Sequence, residues 1–293
     1  MEVVVLGPGF AAEIRGVGLA DVAARDDAYA AVRAAFEEHS VLLFRNQPLT
    51  DELQIAYSRR FGPLETAKVA SRGEGTPFSI LTNIDPDGSL VPPDHKEALR
   101  ARANQLWHTD SCFKDPPALA SVLSARVISP VGGETEFASL RRAWERLPAA
   151  LRARLAGAYA WHDYAHSRGK IAPHLASDRE KTALPPVRWR IRWRNPVNGR
   201  DSLYLASHTY AIEGMPEEEG RALIADLIDR ATAAEYTYLH RWQPGDVIMW
   251  DNRCVLHRGR PWPADKPRRV ARTTITATDA DGLADMRWAR TAA

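Results

Sequence analysis

Cysteine is nearly absent from this chain of 293 residues: Cys112 and Cys254 are the whole complement. Two cysteines cannot supply a disulfide framework, so a reducing, cytoplasmic location is the expectation. Long apolar runs are missing as well, and nothing approaches the roughly 20 residues that a membrane span requires. The opening Met1-Glu-Val-Val-Val-Leu-Gly-Pro-Gly9 has neither the basic start nor the extended apolar segment of a secretory leader. An excess of one charge sign is also lacking, since 39 Lys and Arg face 37 Asp and Glu for a formal net charge of +2. That balance gives no reason to expect nucleic acid or an anionic membrane as a partner, and any anion recognition must be local. Internal repeats, low-complexity tracts and flexible linkers are absent too, which leaves residues 1–293 as one expected domain.

What is present is an ordinary globular composition, 45% apolar and 26% charged, sufficient to bury a substantial core. Short strands are predicted at Val3–Leu6, Glu13–Val17, Val41–Phe44, Ser79–Ile84 and Ala118–Ile128. Helices are predicted after Asp26 and Asp27, from Thr50 to about Phe61, over Arg141–Leu147 and Ala149–Ala156, and after Pro216. Val187-Arg-Trp-Arg-Ile-Arg-Trp-Arg194 alternates apolar with cationic residues for eight positions and reads as one strand, joined through Asn198-Gly199 to Ser202–Ala206. Its arginine row fits a solvated outer face or an anion grip. Tyr236–Trp242, Val247–Trp250 and Arg268–Thr276 are the late strands. From Asp85 to Arg102 the chain is polar and irregular, a lid or a plain surface loop. Many short strands with few helices predict a mainly β fold with helices (α+β), a jelly roll flanked by helices.

The chemistry concentrates in Asn104-Gln-Leu-Trp-His-Thr-Asp-Ser-Cys-Phe113. Alternate side chains of an extended segment share a face, so His108 and Asp110 can offer a nitrogen and an oxygen to one cation. The same pair could equally bond only to each other. A third ligand is available in Trp250-Asp-Asn-Arg-Cys-Val-Leu-His257, and two histidines with one carboxylate is the facial set of non-haem Fe(II) oxygenases. After His257, Arg258, Arg260, Arg268, Arg269 and Arg272 crowd together with few acids. They form either a solvent-facing basic edge or, for Arg268 and Arg272 in a core-forming segment, a clamp for a small carboxylate. An open metal site beside such a clamp suggests a dicarboxylate cosubstrate. Lys68, His162, His166 and His208 each have an ordinary reading as surface or hydrogen-bonded groups.

The segments Ser40–Leu49, Phe61–Glu65, Ala103–Ser111, Gly132–Phe137, Gly245–Gly259 and Arg268–Thr274 together resemble the Fe(II)- and 2-oxoglutarate-dependent dioxygenases of the taurine dioxygenase and 2,4-dichlorophenoxyacetate dioxygenase family, nearer to the second branch. The resemblance implies that His108, Asp110 and His257 ligate iron. It places Thr135, Arg268 and, in the run before His257, Trp250 on the 2-oxoglutarate side. It places Arg272, Asn104 and His208 on the side of the primary substrate; Lys68, in a loosely matching segment, could add a second positive contact there, and Arg269 is expected to point away. Iron(II), 2-oxoglutarate and dioxygen are the implied cofactors, and a small anionic organic molecule is the implied partner. The implied reaction is hydroxylation with release of succinate and carbon dioxide, most specifically on an aryloxyalkanoate, whose ether then breaks to a phenol and an oxoacid. Hydroxylation of taurine, another sulfonate or another small acid is the alternative within the family. A jelly-roll protein that binds a metal or dicarboxylate without turnover is the alternative outside it. Homo-oligomers occur in the family, but no self-complementary patch is legible here. Residues 68–102 and 162–186 match the family only loosely, which leaves the substrate and its preferred enantiomer open.

Overall fold

The main sheet has seven strands, in the spatial order Glu2–Leu6, Ala11–Arg15, Val41–Phe44, Val247–Asp251, Ala118–Val127, Arg269–Thr276 and Phe78–Thr82. The structure, a computed structural model, describes residues 1–287. Facing that sheet is a smaller one of Thr237–His240, Thr135–Ser139 and Val255–Gly259, so the two form the sandwich of a jelly roll. Val41-Leu-Leu-Phe44 and Val247-Ile-Met-Trp-Asp251 are buried at every position, as strands covered on both faces must be. Helices close the outer face of the main sheet. In the helix Asp51–Arg59, the buried Gln54 donates to the carbonyls of Val122 and Ala271, tying it to two neighbouring strands.

The period-two pattern of Arg269–Thr276 decides what faces the interior of the sandwich. Arg268, Val270, Arg272 and Thr274 line the cavity between the sheets, whereas Thr273 turns to the helix side and bonds Ser58, and Arg269 is exposed. Asp251 ends the central strand of the main sheet, and after Asn252-Arg253-Cys254 the chain continues as Val255–Gly259 in the smaller sheet. This crossing carries His257 from one layer to the other.

Several predicted elements differ from those observed. Val187–Arg194 is not one strand: Val187–Arg190 pairs with Tyr159–His162, and Arg192–Arg194 pairs with Asp201–Leu203. The break falls at Ile191, whose N–H donates to Ala158 and whose carbonyl accepts from Tyr204, bonds to elements the alternation could not reveal. The polar stretch before the ligand pair contains a helix, Lys96–Ala103, started by the His95 ring, which accepts from Glu97 N–H. Short helices at Leu19–Ala24, Tyr164–Gly169 and Asp178–Ala183 and the strand Tyr159–His162 also had no clear sequence period. Glu13–Val17 is displaced to Ala11–Arg15, and Ser202–Ala206 shortens to Asp201–Leu203. Among the described residues no helix is long and apolar enough to cross a membrane, and Cys112 and Cys254 are free and buried.

A buried ionic cluster fixes the crossing turn. Arg253, only 1% exposed, donates through Nε to Asp251 Oδ1 at 2.9 Å and through Nη2 to Glu37 Oε2 at 2.7 Å and Asp251 Oδ2 at 2.8 Å. Glu37 also receives Arg33 at 2.6 Å and the Asn195 amide at 2.6 Å, so three elements converge on one carboxylate. Such a cluster adds little net stability when intact, but losing one partner strands a charge in the core. Arg253→Ala is therefore expected to cost about 3–5 kcal/mol, read as a fall in the urea midpoint at unchanged m-value.

Candidate metal centre and its cavity

His108 and His257 sit on an isolated antiparallel bridge, His108 N–H donating to His257 O at 3.0 Å and His257 N–H to His108 O at 2.8 Å. That pairing sets the two imidazole rings 4.1 Å apart between centroids. Asp110 follows at the start of a turn rather than inside a strand, and Ser111 behind it has a φ of +53°. One ligand atom from each of His108, Asp110 and His257 lies within 4.8 Å of the other two, and all three residues are buried. His108 Nε2 is 3.9 Å from Asp110 Oδ1, and His257 Nε2 is 3.7 Å from Asp110 Oδ2.

The donor set suits a divalent cation in both protonation and direction. His108 Nδ1 must donate to Leu106 O at 2.8 Å, which leaves the Nε2 lone pair aimed at the shared space. Burial pulls the His108 pKa down to about 4 and holds His257 well below its ordinary value, so both rings are neutral at neutral pH. For Asp110 burial acts upward, but Arg272 and the two histidines outweigh it and hold the carboxyl at about 2, ionised. The His257 ring is oriented by packing, with the Trp250 ring 4.5 Å and the Phe137 ring 6.3 Å away, while its Nδ1 has no partner among the described residues.

A polar cradle behind Asp110 fixes its carboxylate. Ser121 donates to Asp110 Oδ2 at 2.7 Å, and Asn252 in turn donates to Ser121 Oγ at 3.0 Å. Asn252 Oδ1 accepts from Asp110 N–H at 3.1 Å and from the Trp250 indole at 2.9 Å, and Thr109 Oγ1 donates to Asn252 O at 2.7 Å. The other carboxylate oxygen is ion-paired to Arg272. Sequence reasoning missed Ser121 and Asn252 in this role. Asn252 lies inside the run leading to His257, but its contacts depend on two other strands.

The ten residues expected at the metal, on the 2-oxoglutarate side or on the substrate side all line one cavity. Thr135 is buried there, its hydroxyl accepting from the Trp242 indole at 3.0 Å. Arg268 is buried too, donating to Gly133 O at 3.1 Å with its guanidinium 5.0 Å from the Trp262 ring. Burial lowers its pKa to about 10, which leaves it charged at neutral pH. Gly133 makes this fit possible: its φ is +76°, and a Cβ there would lie 2.8 Å from Arg268 Nε. Asn104 caps the helix Lys96–Ala103, and its carbonyl accepts from Gly259 at 3.0 Å. His208 is buried with neither ring nitrogen partnered among the described residues, 4.7 Å from the Phe113 ring. His162 and His166 lie outside the cavity lining; His162 Nδ1 is 3.3 Å from the Thr209 hydroxyl, and the His166 ring packs 5.7 Å from Tyr210.

The charges around the cavity are mostly matched. Lys68, expected on the substrate side, bonds Glu180 at 2.7 Å; Arg72 meets Asp85, Arg100 meets Glu97 and Lys114 meets Glu65, all closer than that, and Arg272 is held by Asp110. Among the described residues, two cations of the lining have no acid bonded to them, Arg268 and Arg168. Arg168 carries no period or motif and was not legible in the sequence.

With this geometry established, similarity to known proteins can be stated. A sequence model of the family described as "Taurine catabolism dioxygenase TauD, TfdA family" matches residues 2–274. The chain is 39% identical over 274 residues to the alpha-ketoglutarate-dependent 2,4-dichlorophenoxyacetate dioxygenase of Cupriavidus pinatubonensis, covering 92% of this chain and 95% of that protein. It is 36% identical to the (S)-phenoxypropionate/alpha-ketoglutarate-dioxygenase of Sphingobium herbicidovorans, with 97% of each covered. Among solved structures, that of AAD-2 with Mn(II) and N-oxalylglycine superposes with a TM-score of 0.87 at 35% identity, covering 94% of this chain and 98% of that one.

Two substitutions test the site without requiring turnover. Ser121→Ala frees one oxygen of Asp110 and is expected to weaken Mn(II) binding by about 10–100-fold, measured by paramagnetic titration. Gly133→Ala displaces Arg268 but not the triad, so N-oxalylglycine should bind the Mn(II)-loaded protein about tenfold more weakly, with Mn(II) affinity itself unchanged in calorimetry.

Proposed function

The chain belongs to the TauD/TfdA family of alpha-ketoglutarate-dependent dioxygenases, and from that premise we propose that it hydroxylates a small organic acid, most specifically an aryloxyalkanoate, at the carbon bearing the ether oxygen. The supporting observation is the presence, in one cavity, of a two-histidine, one-carboxylate set and a buried arginine with no acid partner. When bound, iron(II), 2-oxoglutarate and dioxygen supply the oxidising power, with succinate and carbon dioxide released. The residues of the chain supply place, charge and dryness.

His108, Asp110 and His257 would hold the metal, and the Ser121–Asn252 cradle keeps the carboxylate from turning away. Arg268, beside Trp262 and seated on Gly133, would receive the far carboxylate of 2-oxoglutarate, with Thr135 in the same lining and Trp250 backing the distal histidine. Asn104, His208 and Arg272 form the substrate side. Phe113, Ile80, Leu81 and Val270 offer the apolar surface that an aryl ring requires. Hydroxylation next to an ether oxygen gives a hemiacetal, which collapses to a phenol and an oxoacid. Residues 1–293 are read as a single domain for this chemistry, in a reducing cytoplasm consistent with two buried, unbridged cysteines.

Anaerobic addition of Fe(II) and 2-oxoglutarate should produce a weak visible charge-transfer band, and Asp110→Ala should abolish the band and succinate release together. Folded wild-type protein without the band would overturn the proposal. A succinate-release screen over aryloxyacetates, aryloxypropionates, sulfonates and amino acids is expected to respond most strongly to an aryloxyalkanoate; a dominant response to taurine would transfer the assignment to sulfonates.

A further inference from the structure

Arg168 is the second of the two unmatched cations of the cavity lining. It is 8% exposed, its Nε is buried without a hydrogen-bond partner, and no acid is bonded to it among the described residues. A buried guanidinium left without an anion is costly, so its position calls for a charged ligand. Its placement is also built rather than incidental. In the helix Tyr164–Gly169, positions 164 and 168 share a face, and the guanidinium lies 4.8 Å from the Tyr164 ring centroid. The Tyr164 ring is itself fixed by its hydroxyl on Glu180 at 3.1 Å and by the Phe113 ring at 5.1 Å.

The same helix is strapped to the loop that carries His208. Ser167 Oγ lies 3.2 Å from Ser207 Oγ, Lys170 Nζ donates to Ser207 O at 2.8 Å, and Asp163 N–H donates to His208 O at 2.9 Å. Arg168 and His208 are therefore held in one wall of the cavity, and the arginine's charge is among the causes, after burial, that keep the His208 ring neutral.

We propose that Arg168 binds the acid group of the primary substrate, as a further cation in addition to Arg272 on the substrate side of the cavity. The inference rests on the dioxygenase reading for the identity of the cavity, and it adds the helix 164–169 to the elements that meet the substrate. Charge matching supports the assignment: 2-oxoglutarate would satisfy Arg268, and an anionic substrate would satisfy Arg168, the other cation of the lining with no acid bonded to it among the described residues. An organic acid with its carboxylate on Arg168 would extend its aryl part along Phe113, whose ring also contacts His208.

The test is a binding measurement that does not depend on turnover. Phenoxyacetate and its neutral counterpart, 2-phenoxyacetamide, are titrated calorimetrically into the Mn(II)- and N-oxalylglycine-loaded protein, for wild type, Arg168→Gln and Arg168→Lys. Arg168→Gln is expected to weaken phenoxyacetate by about 10–100-fold and phenoxyacetamide by less than about threefold, with Mn(II) and N-oxalylglycine affinities unchanged. Arg168→Lys keeps the charge and should recover most of the preference for the acid. Equal weakening of acid and amide in Arg168→Gln would show a role in packing only and overturn the proposal, as would an acid affinity that does not change. A wild-type protein that binds phenoxyacetate through Arg168 but releases no succinate would retain the anchor while refuting the enzymatic reading, so the two failures are separate.

Discussion

Two backbone hydrogen bonds between His108 and His257 are the constraint on which the site depends. They join the segment after the helix Lys96–Ala103 to a strand of the smaller sheet, and they leave both imidazoles on the same side of the junction. Asp110 needs no long-range bridge of its own, because two residues of backbone carry its carboxylate to the same space. Its direction is decided from elsewhere, by Ser121 on one strand, Arg272 on the next and Asn252 in the crossing turn. The buried Arg253–Asp251–Glu37 cluster holds that turn, so the core electrostatics and the candidate metal centre share one loop.

Electrostatic matching organises the rest of the cavity. Each acid that lines it has a cation, and the reverse fails at two positions. This asymmetry leaves Arg268 and Arg168 without an acid bonded to them among the described residues, in a chain whose formal net charge is only +2. It also shows why counting basic residues after His257 is a poor guide. Arg258 pairs with Glu136 at 2.8 Å and Arg260 lies 3.5 Å from the same carboxylate, Arg269 is exposed, and Arg272 is engaged by Asp110. Of that cluster only Arg268 faces the cavity without an acid bonded to it among the described residues.

Elements with strong local patterns were legible in the sequence. Val41–Phe44, the central Val247–Asp251 and the alternating Arg269–Thr276 lie within a residue or two of expectation, as does the helix after Pro216. Elements that satisfy their backbone through distant partners were not. Ile191 ends one strand and starts another because Ala158 and Tyr204 take its hydrogen bonds, and the polar helix Lys96–Ala103 has only Ala103 buried. Short helices such as Tyr164–Gly169 are held by their N-cap Asp163 and by Ser207, neither of which leaves a periodic trace.

The sequence by itself determined the layered β architecture, the candidate donor types at His108, Asp110 and His257, and the pairing of Arg268 and Arg272 on one face of a strand. These follow from short-range rules: period two along a strand, donor chemistry and spacing within one run. Tertiary structure alone decided that Arg272 meets Asp110, that Lys68 belongs to Glu180, and that Arg168 faces the cavity. Charge partnership is set by which side chains folding brings within a few ångströms, and residues as far apart in the chain as 110 and 272 carry no local signal of that meeting.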